Sequence, residues 1–267
     1  MKKARVFLLC ILTAVFLMAC QTVPVTGRRQ LSLVSNAELN AMSFKQYNEF
    51  LSKHKVMQNS EETRLVRKVG SNIQTAVEQY FADNHMSSHL DGYEWQFNVV
   101  EEDAVNAWCM PGGKVVVYTG ILPIAENDTG LAVVIGHEIA HAVANHGNER
   151  MSQGLLLQMG GAALATALQN RPQQTRDLFL AVFGAGAQVG VLLPYSRMYE
   201  SEADRLGLIF MAMAGYDPRA AVTFWQRMSN QKKGAPPEIL STHPSDETRI
   251  NNLKALILEA MQYYKPQ

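Results

Sequence analysis

The residues with the clearest chemical potential are His137, Glu138 and His141, inside "GHEIAHAVANHGNER" at positions 136–150. Imidazoles four residues apart on a helix lie about 40° apart around the axis and about 6 Å along it, so both can reach one ion. Glu138 stands about 60° to the side of that pair, within reach of a water on the ion. His-Glu-x-x-His combines two zinc ligands with a general base. A third imidazole, His146, is five residues past His141 and about 140° round the axis, so on a continuous helix it faces away. The other way to recruit it is a glycine turn after the helix, which needs Gly at 144 and His at 147. The chain has Ala144 and Gly147 there. His146 therefore reads as a surface or packing residue near the helix end, where a cation is favoured.

A third ligand is sought in "YSRMYESEADRLG", residues 195–207. Two histidines plus a glutamate, with the fourth position open, is an established catalytic zinc arrangement. Glu200 and Asp204 are one helical turn apart and share a face. Glu200 can complete the metal shell, and Asp204 can accept the free N–H of a ligating histidine and fix its tautomer. Glu202 points elsewhere and can pair with Arg205. The competing reading leaves all three acids in water. For a donor to a tetrahedral oxyanion, the candidates are His243 and Arg249; His243 could instead fill the open metal position in a resting state.

These residues must be held by helices over a small sheet. Leu65, Val66, Val69, Ile73, Val77 and Tyr80 recur at helical spacing, which predicts a helix over 60–82. The period then changes to two. "EWQFNVV", "AVNAWCM" and "KVVVYTG" read as strands, the last two joined through Pro111-Gly112-Gly113 as an antiparallel pair. A sheet of three or four strands is expected, with helix following almost to the end. Asn127 or Asp128 caps a helix expected to run to about Arg150. Two Gly/Ala-rich apolar stretches follow, 154–168 and 178–194. They read as core helices, with a membrane hairpin as the alternative, since each is shorter than a spanning helix needs. Asp217-Pro218 starts a further helix. Ser245 can cap the last one, 246 to about 264. The class is α+β, mostly α-helical.

The bulk numbers exclude other readings. At 47% hydrophobic and 18% charged, the chain is not a disordered one. A formal net charge of zero argues against nucleic acid as partner. Residues 1–19 read as a lipoprotein signal peptide: Lys2, Lys3 and Arg5, an apolar run, then "LMAC" ending at Cys20. A plain signal peptide or an uncleaved anchor is the alternative. Cleavage removes three cations and no acid. Acylation of Cys20 would anchor the chain to a membrane through residues 20–34, a tether. Cys109 is then the lone thiol, so no internal disulfide is expected; its strand-and-turn surroundings argue against a nucleophile. The rest, 35–267, reads as a single domain.

"HEIAH" followed by "ESEAD" resembles the zinc metallopeptidase family that includes HtpX, the CAAX prenyl protease and the mitochondrial Oma-type proteases. "NAWCMPGGKVVVYTGIL", from Asn106, resembles that family's edge-strand segment, and "STHPSDETRI", residues 241–250, its C-terminal element. The resemblance covers about residues 24–260, in the right order. It implies a zincin-like (minigluzincin) peptidase domain with a small antiparallel or mixed sheet over the His-Glu-x-x-His helix. It implies one zinc ion held by His137, His141 and Glu200, Glu138 as base and Asp204 behind the ligands. Substrate would lie along an edge strand at Asn106, Ala107, Trp108, Gly112 and Gly113. HtpX and the prenyl protease have many membrane spans that this chain lacks, so a lipid-anchored branch at the outer membrane, facing the periplasm, is the expectation. The chain ends about twenty residues past "THP", so no helical-repeat domain is expected after the peptidase. The expected activity is endopeptidase cleavage of unfolded or misassembled envelope proteins. A chaperone-like module with a structural zinc is the alternative.

Overall fold

The computed structural model describes residues 20–24, 26–169, 173, 180, 193–231, 239, 243 and 247–266. The signal peptide, most of the second apolar stretch and Ser245 lie outside them. The described residues form two compact units. One holds the chain up to Asn36 together with Asn145–Met198; the other holds Ala37–Ala144 and Tyr199–Gln267.

In the first unit, strands β1 (Cys20–Thr22) and β2 (Arg29–Leu31) pair antiparallel, with Gln21 opposite Gln30. The segment read as a tether thus carries regular structure. It is also bonded to the long helix of this unit, α5 (His146–Ala167). The Arg28 guanidinium makes a two-pronged ion pair with Glu149 at 3.0 and 2.7 Å. Ser152 Oγ accepts from Leu33 N–H at 2.9 Å, and Asn148 Nδ2 donates to Val34 O at 2.8 Å. Among the described residues, no helix is long and apolar enough to cross a membrane.

The second unit starts with α1 (Asn36–Lys53) and α2 (Glu61–Asp83). Ser60 caps α2 by accepting from Thr63 N–H at 3.1 Å, and Glu61 and Glu62 sit in its first turn, where the helix dipole favours anions. The apolar stripe expected there is the buried face, from Val66 to Phe81. The sheet is three-stranded and mixed: β3 (Gln96–Val100), β4 (Ala107–Met110) and β5 (Lys114–Tyr118), in the order β3-β5-β4. β4 and β5 are antiparallel as expected, and β3 runs parallel to β5. The β4–β5 turn closes with Gly113 N–H donating to Met110 O at 3.2 Å. Gly112 has φ +81°, which a Cβ would strain and which follows Pro111 as a type II turn requires. β5 is buried at every position; among the described residues, β4 pairs with β5 alone.

After the short α3 (Leu122–Ala125) comes the histidine helix, α4 (Asp128–Val143). Asn127 caps it by accepting from Gly130 N–H at 3.0 Å. Nearly every residue from Leu131 to Val143 is buried, so this helix is apolar all round because it is covered all round. It ends at Val143, not near Arg150. Two side chains from the segment before β3 take its last carbonyls: His89 Nε2 stands 2.6 Å from Val143 O, and Tyr93 Oη donates to Ala142 O at 3.1 Å. Asn145 then adopts a left-handed conformation, φ +57°, and α5 begins. His146 opens α5 and is buried rather than on the surface. The unit is completed by α6 (Leu193–Met213, from Tyr199 on), α7 (Ala220–Asn230) and α8 (Glu247–Ala260).

α4 and α6 meet backbone to backbone at Gly136 and Gly207. A Cβ on Gly207 would lie 2.9 Å from His137 N and 3.0 Å from Gly136 C; one on Gly136 would lie 3.0 Å from Gly207 O. Backbone cannot yield as a side-chain end can. Gly207→Ala gains about 1 kcal/mol of helix propensity. The contact reverses that sign, for an expected net loss of about 1–2 kcal/mol in chemical denaturation, with weaker metal binding. A net stabilisation would show that the helices can separate at little cost.

Candidate metal centre

α4 presents His137 and His141 from successive turns, and α6 presents Glu200 and Asp204 in the same way. The glycine contact sets how near the two pairs come. His137 Nε2 lies 3.1 Å from His141 Nε2 and 3.3 Å from Glu200 Oε2. His141 Nε2 lies 3.4 Å from Glu200 Oε1. A fourth group comes from His243: its Nδ1 is 3.0 Å from both Glu200 oxygens and 3.2 Å from His137 Nε2. These four are the group of potential ligands found among the described residues; His146 is not part of it.

The spacing tests whether a metal fits. Bonds of about 2.0–2.2 Å in a tetrahedron put neighbouring ligand atoms roughly 3.3–3.5 Å apart. The observed separations of 3.0–3.4 Å are close to that. Three imidazole nitrogens and a carboxylate converging on one point would repel through their lone pairs unless a proton or cation sits among them. The charge agrees. Glu138, Glu200 and Asp204 bring three negative charges into a buried space and Arg249 one positive, leaving a deficit that a divalent cation fills.

Around the donors, Asp204 Oδ1 lies 3.1 Å from His137 Nδ1, a bent contact on the side of the ring away from the convergence. Asp204 also accepts from Arg249 Nη2 at 2.7 Å and Nε at 2.9 Å. Arg205 reaches Glu259 at 2.7 Å rather than Glu202, which is buried. Burial pushes the Glu200 carboxyl up, but the bonds to His137, His141 and His243 hold it far below the usual carboxylate range. For Asp204, Arg249 and His137 likewise outweigh burial and lower it. Burial pushes His137 down, yet Asp204 and Glu200 outweigh it and raise the group to about 9. Carboxylates that would hold a proton on His137 this firmly would equally hold a metal in its place.

Glu138 is almost wholly buried beside this set. Its Oε1 makes no hydrogen bond and stands 3.5 Å from His243 Nε2. Burial raises its carboxyl, with His243 and His137 opposing. Arg249, a candidate oxyanion donor from the sequence, is fixed against the donors, with Nη2 3.4 Å from His137 Nε2 and Nη1 3.4 Å from Glu200 Oε2. It is buried, held by Asp204 and by the His243 carbonyl at 3.3 Å, and stacked on Trp225. Trp225 and the glycine pair were not singled out in the sequence; their only signal is spacing on helices, Gly136 next to His137 and Gly207 three residues past Asp204.

Of the edge-strand residues, Asn106 accepts from Tyr118 N–H at 3.1 Å through its carbonyl, and Ala107 opens β4. Trp108 turns into a cluster with Phe50 and Tyr47, ring centroids 4.9 and 6.1 Å away. Gly112 and Gly113 form the turn. Cys109 is a free thiol whose pKa burial pushes well above its ordinary value, against a nucleophilic role.

A helix-borne histidine pair facing a second helix's carboxylate, under a small mixed sheet, defines a zincin-like peptidase domain. The chain belongs to peptidase family M48, whose model matches residues 69–257. It is similar to mitochondrial metalloendopeptidase OMA1 of Schizosaccharomyces pombe, 33% identical over 242 residues, covering 89% of this chain and 66% of that protein. Against the OMA1 protein of Arabidopsis thaliana it is 38% identical over 182 residues, 67% of this chain and 35% of the relative. The beta-barrel assembly-enhancing protease of Escherichia coli K12 is 28% identical over 189 residues, 66% of this chain and 39% of the relative. The chain thus spans between about a third and two thirds of these relatives' lengths.

The raised His137 has a consequence for the metal-free protein. A folded-state value of about 9, above the ordinary histidine value of 6.5, contributes stability that is complete below 6.5 and is lost as pH rises through 9. The expected loss across that window, followed by thermal or urea denaturation of chelator-treated protein, is on the order of 3 kcal/mol. Metal-loaded protein should lack this slope, because the cation replaces the proton. A flat profile for the metal-free form would mean that His137 is not held by its two carboxylates.

Proposed function

We propose that the chain is a zinc-dependent endopeptidase that cleaves unfolded or misassembled envelope proteins. The observation that carries this is the four-donor convergence with the unpaired Glu138 oxygen beside it. His137, His141 and Glu200 are the ligands, and Asp204 orients His137. When bound, zinc lowers the pKa of a water toward neutrality and polarises a peptide carbonyl. Glu138 takes the proton from the attacking water at its free Oε1 and passes it to the departing amine. Its dry setting suits that exchange, since burial brings its proton affinity up from that of a solvated acid.

His243 would occupy the ligand position that a catalytic site must keep open. It therefore guards the resting centre and gives way to substrate; once displaced, its imidazole is a donor for the oxyanion. Substrate adds as an extended strand along β4, which among the described residues pairs with β5 alone. Main-chain pairing of that kind reads few side chains, which suits unfolded polypeptides. The names of the relatives, a mitochondrial metalloendopeptidase and a protease enhancing beta-barrel assembly, support an envelope quality-control role. Acylation at Cys20 would hold the chain to the outer membrane, facing the periplasm, on the strength of the "LMAC" ending.

Glu138→Gln is expected to lower cleavage of an unfolded substrate such as casein by about 10²–10⁴-fold while zinc stays bound by metal analysis. Cleavage at the original rate would remove Glu138 as the base; an unaltered chain that binds zinc and unfolded casein but cleaves none would leave the chaperone-like reading in its place. His243→Ala is expected to weaken zinc binding and raise the cleavage rate, since it frees the fourth position. A fall in rate with zinc still bound would show that His243 acts mainly as an oxyanion donor and not as a guard.

A further inference from the structure

Trp225 has no role in the function described so far, yet it touches two parts of the centre. It is 1% exposed, on α7. The Arg249 guanidinium carbon lies 3.7 Å from its ring centroid, so the cation is stacked on its face. The His137 ring meets it edge-on, with centroids 5.5 Å apart and planes at 72°. Arg249 in turn presents Nε and Nη2 side by side to Asp204, at 2.9 and 2.7 Å, and Nη1 to Glu200 Oε2 at 3.4 Å. Asp204 then meets His137 Nδ1. The chain of contact runs from indole to guanidinium to carboxylate to imidazole.

We propose that Trp225 is a positioning residue of the metal centre. Its ring fixes the plane of the Arg249 guanidinium, and through it the Asp204 carboxylate and the ring angle of His137. A two-pronged guanidinium–carboxylate pair needs both groups in one plane. In a buried space no water corrects a tilt. The indole supplies a flat surface with a negative face, so it sets that plane and is favourable to the cation as well. Apolar bulk of the same size would fill the space but leave the guanidinium free to rotate out of register. The inference rests on the zinc reading above, because it assigns Trp225 a part in holding that ion.

The test is a double-substitution cycle on the full chain, read as the zinc dissociation constant in competition with a chromophoric chelator. Loss of groups that orient metal ligands commonly costs about 10–100-fold in affinity. Trp225→Leu is expected to weaken zinc at least about tenfold, whereas Trp225→Phe, which keeps an aromatic face, stays within about threefold. In an Arg249→Met background, Trp225→Leu should add less than about threefold, because the group it acts through is gone. Trp225→Met, bulky and without a ring, carries the same test if the leucine variant does not fold. The d–d spectrum of cobalt-substituted protein should shift in Trp225→Leu and Trp225→Met but not in Trp225→Phe. Equal losses in both backgrounds, or a phenylalanine variant as weak as the leucine one, would overturn the inference while leaving zinc binding by the unaltered chain intact. An unaltered chain that binds no zinc would overturn the function proposed above and this inference with it.

Discussion

The metal centre depends on one constraint: two helices must come close enough for side chains of ordinary length to converge. α4 and α6 do so at Gly136 and Gly207, where any Cβ would press on backbone. Histidine and glutamate have fixed reach, so helix separation sets donor separation. The 3.3 Å between His137 Nε2 and Glu200 Oε2 follows from that contact. The remaining supports keep α4 from sliding or rotating. Asn127 fixes its start, and His89 and Tyr93 bind the carbonyls at its end.

Bringing three carboxylates together in a dry space is unfavourable without compensation. Each here meets a different answer. Glu200 faces the imidazoles. Asp204 faces Arg249 and the far nitrogen of His137. Glu138 keeps one oxygen unpaired. The first two are held as anions by their partners, and the third has its proton affinity raised by burial. One cluster thus places three carboxylates in three different environments. His137 lies at the closed back of the centre, 3% exposed at its side chain, while His141 and His243 are at 13% and mark the side open to solvent.

The sheet contributes a direction. β5 is buried throughout and lies between β3 and β4, so among the described residues β4 is an edge strand. Trp108 shows how an edge strand can stay open without exposing a large apolar face. Its indole turns into the cluster of Tyr47, Phe50 and Tyr118, so the outward offering is main chain. Membership of family M48 and the donor convergence beneath this sheet fit one chemistry, metal-dependent hydrolysis of peptide bonds.

Much of this was legible along the chain. Local patterns reported local facts: the stripe from Val66 to Tyr80 matched its helix, Pro111-Gly112-Gly113 its turn, and Asn127 its cap, because neighbouring residues decide each of them. The histidine pair was readable for the same reason, since four residues on a helix is a fixed distance. Three matters were settled only by folding. α4 stopped at Val143 because His89 and Tyr93, some fifty residues earlier in the chain, bond its last carbonyls. Arg249, which the sequence offered only as a candidate oxyanion donor, was fixed by Asp204 and Trp225 from two other helices. The approach of α4 to α6 rested on two glycines 71 positions apart. The sequence by itself determined which groups could share an ion; only the tertiary structure decided which of them do meet, because burial and helix packing depend on surfaces that no local spacing encodes.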